Sequence, residues 1–129
     1  MATHDPTQDE PVSGPISYAE YYRQGWALHA SGKQDAAEEN LRKAIELEPD
    51  SVDAYFTLGL ALKAQDRRRE TVQAFQKVLS LISSGAVEHN TRSEMVRRLA
   101  LGHINQVEKG DWDLEKEIWK KKDSPTENE

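Results

Sequence analysis

At 129 residues the chain can build one modest core but not two, and its 31% charged and 36% hydrophobic content, with 7 Gly and 5 Pro, suits a solvated helical domain rather than a turn-rich β-sandwich. The absence of Cys excludes a disulfide framework, a thiolate zinc site and a cysteine nucleophile; it is compatible with a reducing compartment, and the cytoplasm is the default location. A formal charge of −6 argues against general affinity for nucleic acid, and no apolar run approaches the roughly 20 residues that cross a bilayer.

Residues 1 to 15 carry Pro6, Pro11 and Pro15 among Thr, Gln, Asp, Glu and Ser. Such a mixture cannot bury enough apolar surface to offset its ordering entropy, so a disordered tail is expected. It has neither a basic n-region nor an apolar h-region, and neither secretion nor membrane insertion is indicated. Ser17-x-x-Glu20 reads as a capping box in front of an apolar stripe, which predicts a first helix from Tyr18 to about Ser31-Gly32. A second helix is predicted from about Gln34 to Leu47, stopped by Pro49. Asp50-Ser51 can cap a third from about Val52 to Ala64, and the polar stretch Gln65 to Arg69 turns the chain into a fourth that reaches about Ile82. Ser83-Ser84-Gly85 is a break. Thr91-x-x-Glu94 reads as a second capping box, opening a fifth helix with Met95, Val96, Leu99, Ala100, Ile104 and Val107 that closes at Lys109-Gly110. Asp111 can cap a sixth helix from Trp112 to about Lys122, and residues 123 to 129 have the character of another disordered tail. The structured region is therefore expected over 16 to 122.

Displacing the sequence by 34 positions lays Tyr21 on Tyr55, Gly25 on Gly59, Ala27 on Ala61, Leu28 on Leu62, Leu41 on Phe75, Lys43 on Lys77 and Leu47 on Leu81. Small and large apolar positions thus recur in register. A helix-interior Gly costs about 1 kcal/mol relative to Ala, so Gly25, Gly59 and Gly102 imply that a neighbouring helix needs the space. Bulky replacement there is expected to overpack.

On these residues the chain resembles the tetratricopeptide-repeat family. The aromatic Tyr21 or Tyr55, the close-contact Gly25 or Gly59, Leu28 or Leu62, the small Ala37 and Ala44, Leu41 or Phe75, and Pro49 fall where that pattern of about 34 residues places them. The resemblance implies an all-α fold, a short right-handed α-solenoid of three antiparallel helix pairs. Repeat 1 would span 18–51, repeat 2 52–85, and a degenerate repeat 3 about 91–122. It also implies a concave groove lined by the first helix of each pair: Tyr22, Trp26, His29 and Ala30, then Phe56, Leu60 and Lys63, then Leu99, His103 and Gln106. The function so implied is a non-catalytic interaction module or scaffold, without cofactor, holding a partner peptide or amphipathic helix in that groove. Some members bind acidic tails through a carboxylate clamp of Lys, Asn and Arg. Here Tyr22, Trp26 and Thr57 stand at clamp positions, so that partner is not expected.

Other readings compete with parts of this one. Aromatic residues at helical spacing also fit mutual packing, which applies to Tyr22, Trp26 and Phe56. Trp112, Leu114, Ile118 and Trp119 on the sixth helix have no following helix to cover them, which suits either a homo-oligomer contact or inward packing on the fifth helix. Arg67-Arg68-Arg69 reads as a solvated turn; joined to Arg92, Arg97 and Arg98 on one face it would suit an acidic protein or RNA. His4, His29, His89 and His103 lack the spacing of a metal site, and no phosphate loop, nucleophile elbow or defended acid pair accompanies them. Glu38, Glu39, Glu46 and Glu48 read as a solvated face, with Glu39 to Lys43 as one ion pair.

Overall fold

Residues 15–110, which the computed structural model describes, form five helices, four of them followed by a left-handed residue (Gly32, Asp66, Gly85 and Gly110). They are α1 (Tyr18–Ala30), α2 (Gln34–Leu47), α3 (Val52–Ala64), α4 (Arg68–Ser83) and α5 (Thr91–Lys109). The expected sixth helix and the tails, Pro15 apart, lie outside the described residues. Ser17 Oγ accepts the Glu20 N–H at 3.2 Å, and Ser51 Oγ accepts the Ala54 N–H at 3.0 Å, each satisfying an orphan amide of a first turn. The reciprocal half of the first expected box is absent: the Glu20 carboxylate takes Arg23 and Gln24 instead. The second box is displaced by one residue. Asn90 Oδ1 accepts the Ser93 N–H and Ser93 Oγ accepts the Asn90 N–H, both at 2.9 Å, so Thr91 is the first helical residue and not the cap. Asn is at least as good an N-cap as Thr, and Ser93 is short enough to reach back without straining the turn.

The helices of each pair are joined by one recurring turn. In α1 the Lys33 N–H reaches Leu28 O at 2.9 Å and the Gly32 N–H reaches His29 O at 3.0 Å; in α3 the Arg67 N–H reaches Leu62 O at 3.1 Å and the Asp66 N–H reaches Lys63 O at 2.9 Å. The left-handed residue is Gly32, φ +87°, in the first and Asp66, φ +60°, in the second. These stand one repeat length apart.

Each helix packs on the next, and α1 also approaches α3, which makes α1, α3 and α5 one layer and α2 and α4 the other. Two of the three glycines expected to give room, Gly25 and Gly59, do so. A Cβ on Gly25 would stand 2.6 Å from Leu41 Cγ, and one on Gly59 would stand 2.7 Å from Phe75 Cζ. Leu41 and Phe75 are fully buried. The repeat extends to the outer layer, where Lys43 Nζ lies 6.0 Å from the Tyr21 ring centre and Lys77 Nζ lies 5.8 Å from that of Tyr55. Lys43 therefore faces an aromatic ring, and the ion pair along α2 is Glu38 to Arg42, at 2.9 Å, rather than Glu39 to Lys43. The core divides into two clusters. One, built on Ala37, Leu41, Leu58, Ala61, Leu62 and Ala74, joins the two repeats. The other, built on Val52, Phe75, Val78, Leu81, Ile82, Ala100 and Ile104, joins the second repeat to α5. Met95, expected on the apolar stripe of α5, is 58% exposed.

Candidate functional site

The layer of first helices opens a cavity of about 240 Å³ lined by Tyr22 and Trp26 of α1, Asp53, Phe56, Thr57 and Leu60 of α3, and Arg92, Val96 and Leu99 of α5. Two large apolar side chains that stay open to solvent, Trp26 at 48% and Leu99 at 38%, stand on its opposite walls. Phe56 and Leu60 form the floor between them. Phe56 is held from beneath by an edge-to-face contact with Phe75, ring centres 5.2 Å apart. Tyr22 stacks on Tyr18 at 5.9 Å, and the Tyr18 hydroxyl is hydrogen-bonded to Ser51 Oγ at 2.7 Å. Burial raises the Tyr18 phenol above its ordinary range; the Ser51 bond works against this, and the negative charges of Asp53 and Glu48 add to it. Arg92 donates to Asp53 Oδ1 at 3.1 Å across the rim. The walls are thus rigid from below and apolar in the middle, with one ion pair at the edge.

The other residues expected on the groove lie toward the C-terminal ends of the same helices and form a different cluster. Lys63 Nζ donates to His103 Nδ1 at 3.0 Å and also to Gln106 Oε1. The His103 ring stacks on Phe75 at 4.8 Å with 8° between planes, and meets Phe56 edge-on at 5.8 Å. Burial first, and then the Lys63 ammonium, push its pKa down to about 4, so the imidazole is neutral at pH 7. Burial likewise lowers Lys63, which borders a separate cleft of about 280 Å³ with Asp66, Arg67, Arg68, Thr71, Gln106 and Val107. His29 turns toward the α1–α2 turn. Its Nδ1 meets Gln34 Oε1 at 2.8 Å while its ring lies 5.7 Å from that of Trp26.

Tyr22, Trp26, Phe56, Leu60 and Leu99 therefore share one cavity, Lys63 and His103 meet beside it, and His29 belongs to the turn. Trp112, Ile118 and Trp119 lie outside the described residues. Thr57, read from the sequence as an inner clamp position, lines the cavity, whereas Asp53, Arg92 and Val96 were not anticipated there. The signal for these three was available, since Asp53 precedes Phe56 by one turn and Arg92 and Val96 continue the Leu99 stripe backward at helical spacing.

Four of the six arginines named from the sequence, Arg67, Arg68, Arg92 and Arg97, are engaged by acceptors of the protein itself. Arg67 donates to Glu38 and, at 2.8 Å through both Nε and Nη2, to Glu70, and Arg42 reaches the same two carboxylates at 2.9 and 3.7 Å. Arg67 thus ties α2 to α4 from its place in the α3–α4 turn, where Arg68 and Arg69 are exposed. Burial opposes ionisation of Glu38, yet the hydrogen bonds from Arg67, Arg42 and Gln65 hold its carboxyl below the usual range. Arg68 donates to Val107 O, Arg92 pairs with Asp53 and Arg97 with Glu94. Among the described residues no helix is long and apolar enough to cross a membrane.

Two family models match the chain: one described as TPR repeat over residues 25–66, and one described as Tetratricopeptide repeat over 53–81. Among curated proteins it is 31% identical over 103 residues to DnaJ homolog subfamily C member 3 of Homo sapiens, covering 76% of this chain and 20% of that one. The Rattus norvegicus protein of the same name is 35% identical over 83 residues, 64% of this chain and 16% of the relative. Small glutamine-rich tetratricopeptide repeat-containing protein 2 of Saccharomyces cerevisiae is 35% identical over 69 residues, 53% and 20%. The match spans about a fifth or less of the length of these relatives. No solved structure matches the chain significantly.

Proposed function

The chain is a tetratricopeptide-repeat protein, and from that premise we propose that it serves as a non-catalytic module whose concave face holds an apolar segment of another polypeptide, a helix or an extended peptide. The observation that carries this reading is the placement of Trp26 and Leu99, both open to solvent, on facing walls of one cavity whose floor is Phe56 and Leu60. Burying such side chains against a partner is favourable at about 25 cal/mol per Å² of apolar area, and indole anchors dominate interfaces of this kind. The rim supports orientation: Arg92 uses one donor on Asp53 and is 73% exposed as a side chain, so it can also take a polar group of the ligand. The engagement of Arg67, Arg92 and Arg97 with carboxylates weighs against the alternative of a basic face for RNA or an acidic protein. In this reading the protein acts in the cytoplasm and needs no cofactor.

Capture of partners from a native lysate on the immobilised chain tests the groove. Trp26→Ala and Tyr22→Ala should each lower recovery about tenfold or more, the effect of removing a hot-spot aromatic, with unchanged helical circular dichroism. Equal recovery by the variants moves the binding surface elsewhere.

A further inference from the structure

We propose that this groove holds a cation site, in which the rings of Tyr22, Trp26 and Phe56 receive the charged end of a lysine or arginine side chain of the partner segment. The inference rests on the groove reading above and adds to it the chemistry of the ligand. Tyr22 and Trp26 stand one turn apart on α1, and Phe56, one repeat length beyond Tyr22, completes the set from α3, so three aromatic side chains line one cavity of about 240 Å³. The face of an aromatic ring is negative, and a cation seated over it is attracted, most strongly over indole. Trp26 is 48% exposed, and the stack on Tyr18 covers one face of Tyr22, so both rings keep surface for a ligand. The chain already uses this contact: Lys43 lies near the Tyr21 ring at 6.0 Å and Lys77 near the Tyr55 ring at 5.8 Å. Tyr21 is followed by Tyr22 and Tyr55 by Phe56, so each repeat offers one aromatic ring to the outer layer, where a lysine of the same chain meets it, and one to the groove.

Charge sets the sign of the ligand. Asp53 and Arg92 line the cavity as a pair joined at 3.1 Å and neutral as a unit, so the rings and not the carboxylate carry the attraction. Glu48 and Asp53 both act to raise the Tyr18 phenol, which places negative potential on the wall that Tyr18 and Tyr22 form. A formal charge of −6 adds long-range attraction for a basic segment. Shape agrees with charge. The stem of lysine or arginine is apolar and packs on Leu60 and Leu99 while its head reaches the rings. An aliphatic anchor would use the same walls but leave the ring faces without a charge.

The test is an NMR titration of the full chain with blocked peptides Ser-Leu-X-Leu-Ser, where X is lysine, arginine, norleucine or glutamate, read at the Trp26 indole. Norleucine keeps the stem and removes the charge, so the comparison on the wild type decides without any variant. The lysine and arginine peptides should bind about fivefold or more tighter than the norleucine peptide, and the glutamate peptide weakest. The preference should persist in high salt, which screens exposed ion pairs. Trp26→Leu and Tyr22→Leu, read at the backbone amides of α3, should each bring the ratio of lysine to norleucine affinity toward one, whatever the absolute affinity. Equal binding of lysine and norleucine, a preference for glutamate, or a lysine preference that survives both leucine variants or vanishes in high salt overturns the inference. If the norleucine peptide binds as well as the lysine peptide, the groove reading stands without this ligand. If no peptide binds, the cation site falls, and the groove reading falls with it only when Trp26→Ala keeps its captured partners.

Discussion

Gly59 carries a large share of the packing with no side chain of its own. The cavity floor depends on Phe56, Phe56 rests edge-on against Phe75, and Phe75 occupies the space that a Cβ on Gly59 would need. Since the Phe75 ring is fully buried, it has no solvent to retreat into. Alanine at 59 would gain roughly 1 kcal/mol of helix propensity but would meet three ring carbons inside 3.0 Å, so repacking must cost more than propensity returns. Gly59→Leu is expected to lower the melting temperature by about 10 °C or more, at roughly 4–8 °C per kcal/mol for a domain of this size. The smaller Gly59→Ala defect should be partly relieved by Phe75→Leu in the same chain, measurable as a positive coupling in a thermal double-mutant cycle. Additive losses would mean that the ring is not what Gly59 accommodates.

Helix boundaries depend on a few residues at each end, and α5 offers a sharp test of which ones. With Asn90 as cap, Asn90→Ala removes the acceptor for the Ser93 N–H and should cost about 1 kcal/mol, while Thr91→Ala, one residue inside, should change stability by only a few tenths. Urea unfolding of the two variants separates them, and an equal loss from both would return the cap to Thr91. The extents of α2 and α3 were legible in the sequence because Gly32, Pro49, Ser51 and the 34-residue register are local signals. The cap of α5 was not, because Asn90 and Thr91 are both good N-caps and the choice turns on Ser93 bonding back to the Asn90 amide. In the candidate site the stripe Tyr22, Trp26, Phe56, Leu60 and Leu99 was visible as helical spacing transferred by resemblance. The Arg92–Asp53 pair and the Phe75–His103 stack were hidden, since both depend on how α5 settles after the inserted residues between Ser83 and Asn90.

At the scale of the whole molecule, a solenoid is only as continuous as the contacts between successive units. The first two repeats are joined by their own apolar cluster and by the Glu38–Arg67–Glu70–Arg42 network, in which exposed pairs contribute little individually but share ordered side chains. The junction with α5 combines a second cluster with one titratable group, His103, seated on Phe75 and against Phe56 with Lys63 donating to its Nδ1. Protonation of that ring would replace the Lys63 contact with repulsion between two cations. With a folded pKa of about 4 against an ordinary 6.5, the unfolded chain binds the proton first as pH falls. The stability that His103 contributes is therefore fully present above pH 6.5 and is lost progressively between 6.5 and 4. For a half-buried ring, solvent screening reduces the effect to the order of 1–2 kcal/mol. Glu38, whose pKa is lowered, begins to lose its contribution only as pH falls through the ordinary carboxylate value of 4.5, at the lower edge of the His103 window. Urea midpoints at steps from pH 7 to pH 4.5 should decline more steeply in the wild type than in His103→Gln, which keeps a polar side chain but cannot titrate. Parallel curves would mean that the junction between the second repeat and α5 does not depend on the neutral imidazole. A steeper wild-type curve, with Trp26 fluorescence changing in the same pH window, would mean that the groove opens where α5 loosens, since Leu99 and Val96 leave the cavity together with the helix that carries His103.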